Sequence, residues 1–126
     1  ETRAWDSWVN DSFWLNPLVK LRDSGVERQA VGDNQLLVTY GSGGNTPGDS
    51  YLWTIDDVGR PTHWKLWVSI IPIGGLGCSW DGWTTLPTGA LVSTVHDWGG
   101  VTLTLEDVDG GYSWTDLYDS DPFQGF

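Results

Sequence analysis

Ten tryptophans in 126 residues are the groups in this chain best equipped to do chemistry, and that chemistry is recognition rather than bond-making. An indole carries a broad apolar face and one N–H donor, so it serves equally in a core, in a protein interface or under a sugar ring. Most tryptophans in any fold are core and rim. Ten exceed what one small core needs, and the surplus is expected to face a ligand or a partner.

Reactive groups are scarce. His63 and His96 are the two histidines, each falls in an expected strand, and neither accompanies a nucleophile motif, so both read as packing or surface residues and the chain as non-enzymatic. Ser79 sits in Gly77-Cys78-Ser79-Trp80, which lacks the glycine spacing of a nucleophile elbow. Cys78 is alone, which excludes a disulfide framework and a paired-cysteine metal site and leaves a small buried hydrophobe. Asp107, Asp109, Asp116, Asp119 and Asp121 form the densest set of hard oxygen ligands. Their spacing fails the EF-hand pattern, and a solvated acidic tail is the simpler reading. No cofactor and no metal is expected.

The elements that must position the aromatic groups are mostly strands. Trp5, Trp8, Val9 and Phe13 recur at spacings of three and four, which predicts an amphipathic helix over 5–15 within segment 1–16, with Thr2 as its cap and Asn16-Pro17 as its end. From Val26 the pattern becomes short alternating or β-branched runs between Gly, Pro and Asp clusters, which predicts an antiparallel meander with strands near 26–31, 35–41, 50–56, 62–71, 77–85, 90–96 and 100–106. Asp56-Asp57-Val58-Gly59 and Leu86-Pro87-Thr88-Gly89 are the expected tight turns. Loops 42–49 and 72–77 are expected to rim a binding mouth. Residues 1–109 form the expected β domain. Residues 110–126, with Tyr112, Trp114, Tyr118, Phe123 and Phe126 among acids, look like a tail laid over another surface.

Six basic against seventeen acidic residues give a net charge of −11 and a pI near 4.1, so repulsion argues against nucleic acid and against unaided binding to anionic membranes. No apolar run reaches membrane-spanning length. The chain begins at Glu1, and removal of an upstream segment such as an export signal is expected.

The string Trp8-Val9-Asn10-Asp11-Ser12-Phe13-Trp14-Leu15, followed by Pro17, Lys20-Leu21, Asp23 and Gly25-Val26, resembles a segment of the bacterial periplasmic lipoprotein-carrier superfamily. Thr46-Pro47-Gly48-Asp49-Ser50-Tyr51, Gly59-Arg60-Pro61 with Trp64, and Trp80-Asp81-Gly82-Trp83 before Gly89 are similar to later stretches of that group. The resemblance spans about residues 8 to 106. It implies a mainly β, strongly curved antiparallel sheet, a half or incomplete barrel with an apolar concave side covered by helix. It also implies an extracytoplasmic carrier of an apolar, lipid-like ligand or a lipoprotein, with further elements upstream of Trp8. An incomplete sheet has open edges, and pairing of those edges with another chain is expected to protect them.

Three functions compete. The first holds an apolar ligand on Trp53, Trp64, Leu66, Trp80 and Trp83, closed from the helix side by Trp8, Phe13 and Trp14; the run Trp64, Leu66, Trp67, Val68, Ile70, Ile71, Ile73 favours it. Joint replacement of Trp64 and Trp80 by Ala is then expected to remove binding and spare the sheet. The second is an accessory subunit docking onto a larger protein assembly through Trp114, Tyr118 and Phe123. The third is a carbohydrate-binding module with Trp53, Trp64 and Trp80 coplanar on an exposed face.

Overall fold

The period-two alternation that starts at Val26 builds a single antiparallel meander. The computed structural model describes residues 2–42, 47–121 and 124–125. Helix α1 (Thr2–Leu15) and a 3-10 turn (Pro17–Lys20) precede β1 (Val26–Ala30), β2 (Gln35–Tyr40), β3 (Asp49–Ile55), β4 (Pro61–Trp67) and β5 (Leu76–Ser79). These five strands pair in chain order. Strand outweighs helix among the described residues, so the fold is mainly β, and the sheet is open rather than a closed barrel.

Register decides which side chains share a face. Leu36 pairs with Trp53, Trp53 with Trp64, and Trp64 with Cys78; Val38 pairs with Tyr51 and Tyr51 with Leu66. Side chains alternate across a strand, so all of these project from one side. The opposite side carries Thr39, Ser50, Thr54, His63 and Lys65. Helix α1 covers the apolar side, and Phe13 inserts among Tyr40, Tyr51, Trp53, Trp64 and Trp80 with ring centroids 5.2–6.4 Å apart.

Asn16 fixes the helix end. Its Oδ1 accepts from Leu18 N–H at 3.0 Å, and its Nδ2 donates to the Leu91 carbonyl at 2.8 Å. One side chain therefore caps the 3-10 turn and ties it to the distal part of the chain, where β6 (Thr84–Thr85) pairs with β7 (Leu91–Val92) and β8 (Val95–Asp97) with β9 (Thr102–Thr104).

Several expected strands are shorter than predicted, each for a local reason. The strand expected over 62–71 ends at Trp67, because Ser69 N–H turns to the Asp49 carboxylate at 3.0 Å and Ile71 N–H to the Val68 carbonyl at 3.2 Å. The strand expected over 77–85 divides at Gly82, whose φ of 63° leaves the extended region. A Cβ there would lie 2.5 Å from Thr94 Oγ1, so glycine is required twice over. The strand expected over 90–96 divides at Ser93, which is fully buried, donates its N–H to the Leu15 carbonyl at 2.9 Å and its hydroxyl to the Asp81 carbonyl at 2.7 Å. The last strand keeps Thr102–Thr104 out of the expected 100–106. The helix begins earlier than residue 5, at Thr2.

The Asp56–Gly59 turn forms as expected, with Asp56 Oδ1 accepting from the N–H groups of Val58 and Arg60 at 3.1 and 2.8 Å. The Thr2 side chain, Phe123, Phe126 and residues 43–46 of the first expected loop lie outside the described residues.

Candidate functional site

A helix laid on a sheet covers only as much of it as its apolar edge reaches. The C-terminal half of α1 does this fully: Phe13 and Trp14 close over Trp53, Trp64 and Trp80, and Trp14 stacks on Trp80 at 5.9 Å with an interplanar angle of 14°. Towards its N-terminus the helix leaves a groove of about 300 Å³ at the end of the sheet where β2 and β3 meet. Trp5, Val9 and Phe13, one turn apart along α1, form one wall. Val26, Tyr40, Tyr51 and Trp64 form the other, and Asp23, Ser24, Ser42, Asp49, Asn10 and Lys20 complete the lining. Trp5, Asn10, Ser24 and Ser42 are exposed, so the groove opens to solvent.

The aromatic wall is ordered. Tyr51 stacks on Trp64 at 4.5 Å with planes 5° apart, and Tyr40 meets Tyr51 edge-on at 5.7 Å. Burial, then the negative charge of Asp23, pushes the Tyr40 phenol up to about 12, and burial followed by Asp49 raises Tyr51 further, so both hydroxyls stay protonated. The Tyr40 hydroxyl oxygen is buried and has no hydrogen-bond partner among the described residues. Lys20 holds its ammonium 5.3 Å above the ring of Trp8, which is not part of the lining.

The residues expected to line a cavity separate into three groups. Phe13, Trp14 and Trp64 do line the groove. Trp53, Leu66 and Trp80 are buried in the core beneath it, filling the concave side with the chain's own rings. Trp8 and Trp83 lie elsewhere. Trp8 is 57% exposed and stacks on Trp5 at 5.5 Å, while Trp83 packs at the opposite end of the sheet with its indole N–H donating to the Pro61 carbonyl at 2.9 Å.

Two expectations built on those residues change accordingly. Trp64 and Trp80 are 2% and 1% exposed, so their joint replacement by Ala would cost the sheet its core rather than spare it. The coplanar, exposed triad postulated for sugar stacking is not formed: Trp80 stands at 68° to Trp53 and 89° to Trp64, and all three are buried.

Tyr40, Tyr51, Val9, Val26, Asp23 and Asp49 were absent from the expected lining. The signal for two of them was available, since Tyr51 alternates with Trp53 on one strand and Trp5, Val9 and Phe13 repeat at four. Tyr40 and Asp49 face each other across the ends of β2 and β3, which needs the register and not merely the strand assignments.

Several titratable groups elsewhere take part in structure. His96 is fully buried between Trp14 and Trp80, at 5.2 and 4.3 Å, and burial holds its imidazole below the ordinary range. Cys78 is buried and its thiol is pushed up to about 11 by that burial. The His63 ring occupies the space where Gly77 has no side chain, 2.8 Å from the position of a Cβ. In the tail, Asp116 accepts from the N–H groups of Tyr112 and Ser113 at 2.7 and 3.1 Å and from the Ser113 hydroxyl at 3.0 Å, which lowers its carboxyl and locks a 3-10 turn over Trp114–Asp116. Among the described residues no three His, Cys, Asp or Glu side chains converge as a metal-ligand set. No described helix is long and apolar enough to cross a membrane.

Compared with protein-family models, with curated proteins and with solved structures, the chain matches none.

Proposed function

We propose that the chain is a non-catalytic, extracytoplasmic binding protein that holds a small apolar or amphiphilic ligand in the groove between α1 and the ends of β1–β3. The observation that carries this reading is the combination of a packed aromatic floor with an open mouth. Phe13, Tyr51 and Trp64 are fixed by ring contacts on several sides, so they offer a preformed apolar surface, and a preformed site avoids the entropy cost of ordering itself around a ligand. The volume of about 300 Å³ suits one short chain or one ring system and not a whole lipoprotein.

The test uses a neutral naphthylamine dye with the native protein and with Val9→Arg and Asn10→Trp, which place a charge on the wall and bulk at the mouth. One equivalent of dye bound by the native protein, with affinity at least ten-fold lower in both variants at unchanged far-UV circular dichroism, is the expected result. Equal binding by all three proteins would remove the groove assignment.

A second reading has its own observation. Tyr112, Trp114, Leu117 and Tyr118 are exposed on a turn whose backbone is already satisfied, and Ile70 and Ile73 are exposed on the loop between β4 and β5. Such surface fits docking onto a larger assembly. Co-purification of the exported protein in a stoichiometric complex that Trp114→Ala and Tyr118→Ala dissolve would establish that role in place of ligand carriage.

A further inference from the structure

We infer that the groove selects a hydrophobic amine in its ammonium form over a neutral or anionic molecule with the same carbon skeleton. This inference rests on the groove being a ligand site and specifies the ligand's charge.

The walls are aromatic and the charges among them are mostly negative. Phe13, Tyr40, Tyr51 and Trp64 present ring faces and edges, and Asp23 and Asp49 stand beside Tyr40 and Tyr51 closely enough to disfavour ionisation of both phenols. Burial is the larger cause of that and opposes either charge, whereas the two carboxylates oppose a bound anion and favour a cation. Ring faces add to this, because their quadrupoles attract ammonium groups. Lys20 shares that lining, with its ammonium 5.3 Å above the ring of Trp8, and against it the two carboxylates leave the groove one formal negative charge in excess. That pairing also shows an ammonium held on an indole of the same helix.

Asp49 is held in place by the Ser69 N–H at 3.0 Å, so its carboxylate is positioned before any ligand arrives. The chain's net charge of −11 adds long-range attraction of the same sign.

The experiment compares 4-phenylbutylamine, 4-phenylbutanol and 4-phenylbutyrate by calorimetric titration at neutral pH and moderate salt. The native protein is measured beside Asp23→Asn and Asp57→Asn, the last removing one charge from an exposed turn distant from the groove. The amine is expected to bind at least ten-fold more tightly than the alcohol, and the acid more weakly than either. Asp23→Asn should reduce amine affinity several-fold without changing the alcohol, and Asp57→Asn should leave both within two-fold. Equal affinity for amine and alcohol, with both abolished by Val9→Arg, would overturn the charge selection and keep the apolar groove. Equal losses from Asp57→Asn and Asp23→Asn would reduce the preference to net charge and overturn it likewise. Binding of none of the three, or binding indifferent to Val9→Arg, would overturn the groove as well.

Discussion

The same residue types behave oppositely in two regions of this molecule. Between Phe13 and Trp98 the rings interlock: Trp14 alone meets Trp64, Trp80, His96 and Trp98 at 5.2–5.9 Å. Beyond Gly110 the described rings are exposed, Tyr112 at 85% and Tyr118 at 56%, with Trp114 and Tyr118 6.1 Å from each other. The difference is the supply of opposing surfaces. A strand places every second residue on one face and a paired strand sets another ring about 5 Å away, so Tyr51, Trp53 and Trp64 meet without any further device. The tail has a carboxylate-capped turn, which satisfies its backbone without a paired strand to bury its rings. Aromatic content therefore makes a core only where strand pairing gathers it onto one side.

The largest expected effect tests that contrast directly. Trp80→Ala removes a fully buried ring from the centre of the cluster and should cost about 3–5 kcal/mol in urea unfolding, enough to unfold much of the protein. A loss below about 1 kcal/mol would mean that the cluster is not what holds the body together. Next comes the seam between helix and distal strands. Asn16→Ala removes both the turn cap and the bond to the Leu91 carbonyl, and a loss of about 1–2 kcal/mol is expected by the same measurement.

His96 gives the contrast a pH signature. Burial lowers its folded-state pKa beneath the unfolded value near 6.5, so the unfolded chain binds the proton more readily. Its contribution to stability is complete above about pH 6.5 and is lost as pH falls through the lowered value. The native protein should weaken on going from pH 7 to pH 5, while His96→Phe, which keeps an aromatic ring between Trp14 and Trp80, should be nearly flat over that interval. Asp56, Asp97 and Asp116, whose carboxyls are lowered by hydrogen bonds, act at more acidic pH and do not confuse the comparison. Equal slopes in both proteins would remove His96 as the source.

The smallest effect belongs to the tail. Trp114→Ala and Tyr118→Ala should each change unfolding free energy by less than about 0.5 kcal/mol, because neither ring is buried. A larger loss would show that the tail packs on the body.

The chain's pattern was enough to place the helix, the meander and the apolar face of the central strands, since periods of 3.6 and 2 are properties of the backbone and need no partner to be read. It was enough, too, to mark Cys78 as a small buried side chain. What it could not give was the fate of individual rings on that face. Trp53, Trp64 and Trp80 alternate alike, yet whether such a ring lines a cavity or fills it depends on the side chain opposite, and that side chain is Phe13, more than thirty-five residues away in sequence. The breaks at Gly82 and Ser93 were hidden for a related reason: one follows from the closeness of Thr94, the other from the carbonyls of Leu15 and Asp81. The groove is the clearest case. Trp5 and Val9 on the helix, Tyr40 and Asp49 across a hairpin, and Asp23 on the connecting turn are separated along the chain and meet where the helix stops covering the sheet, so its lining is set by the angle of packing rather than by any local motif.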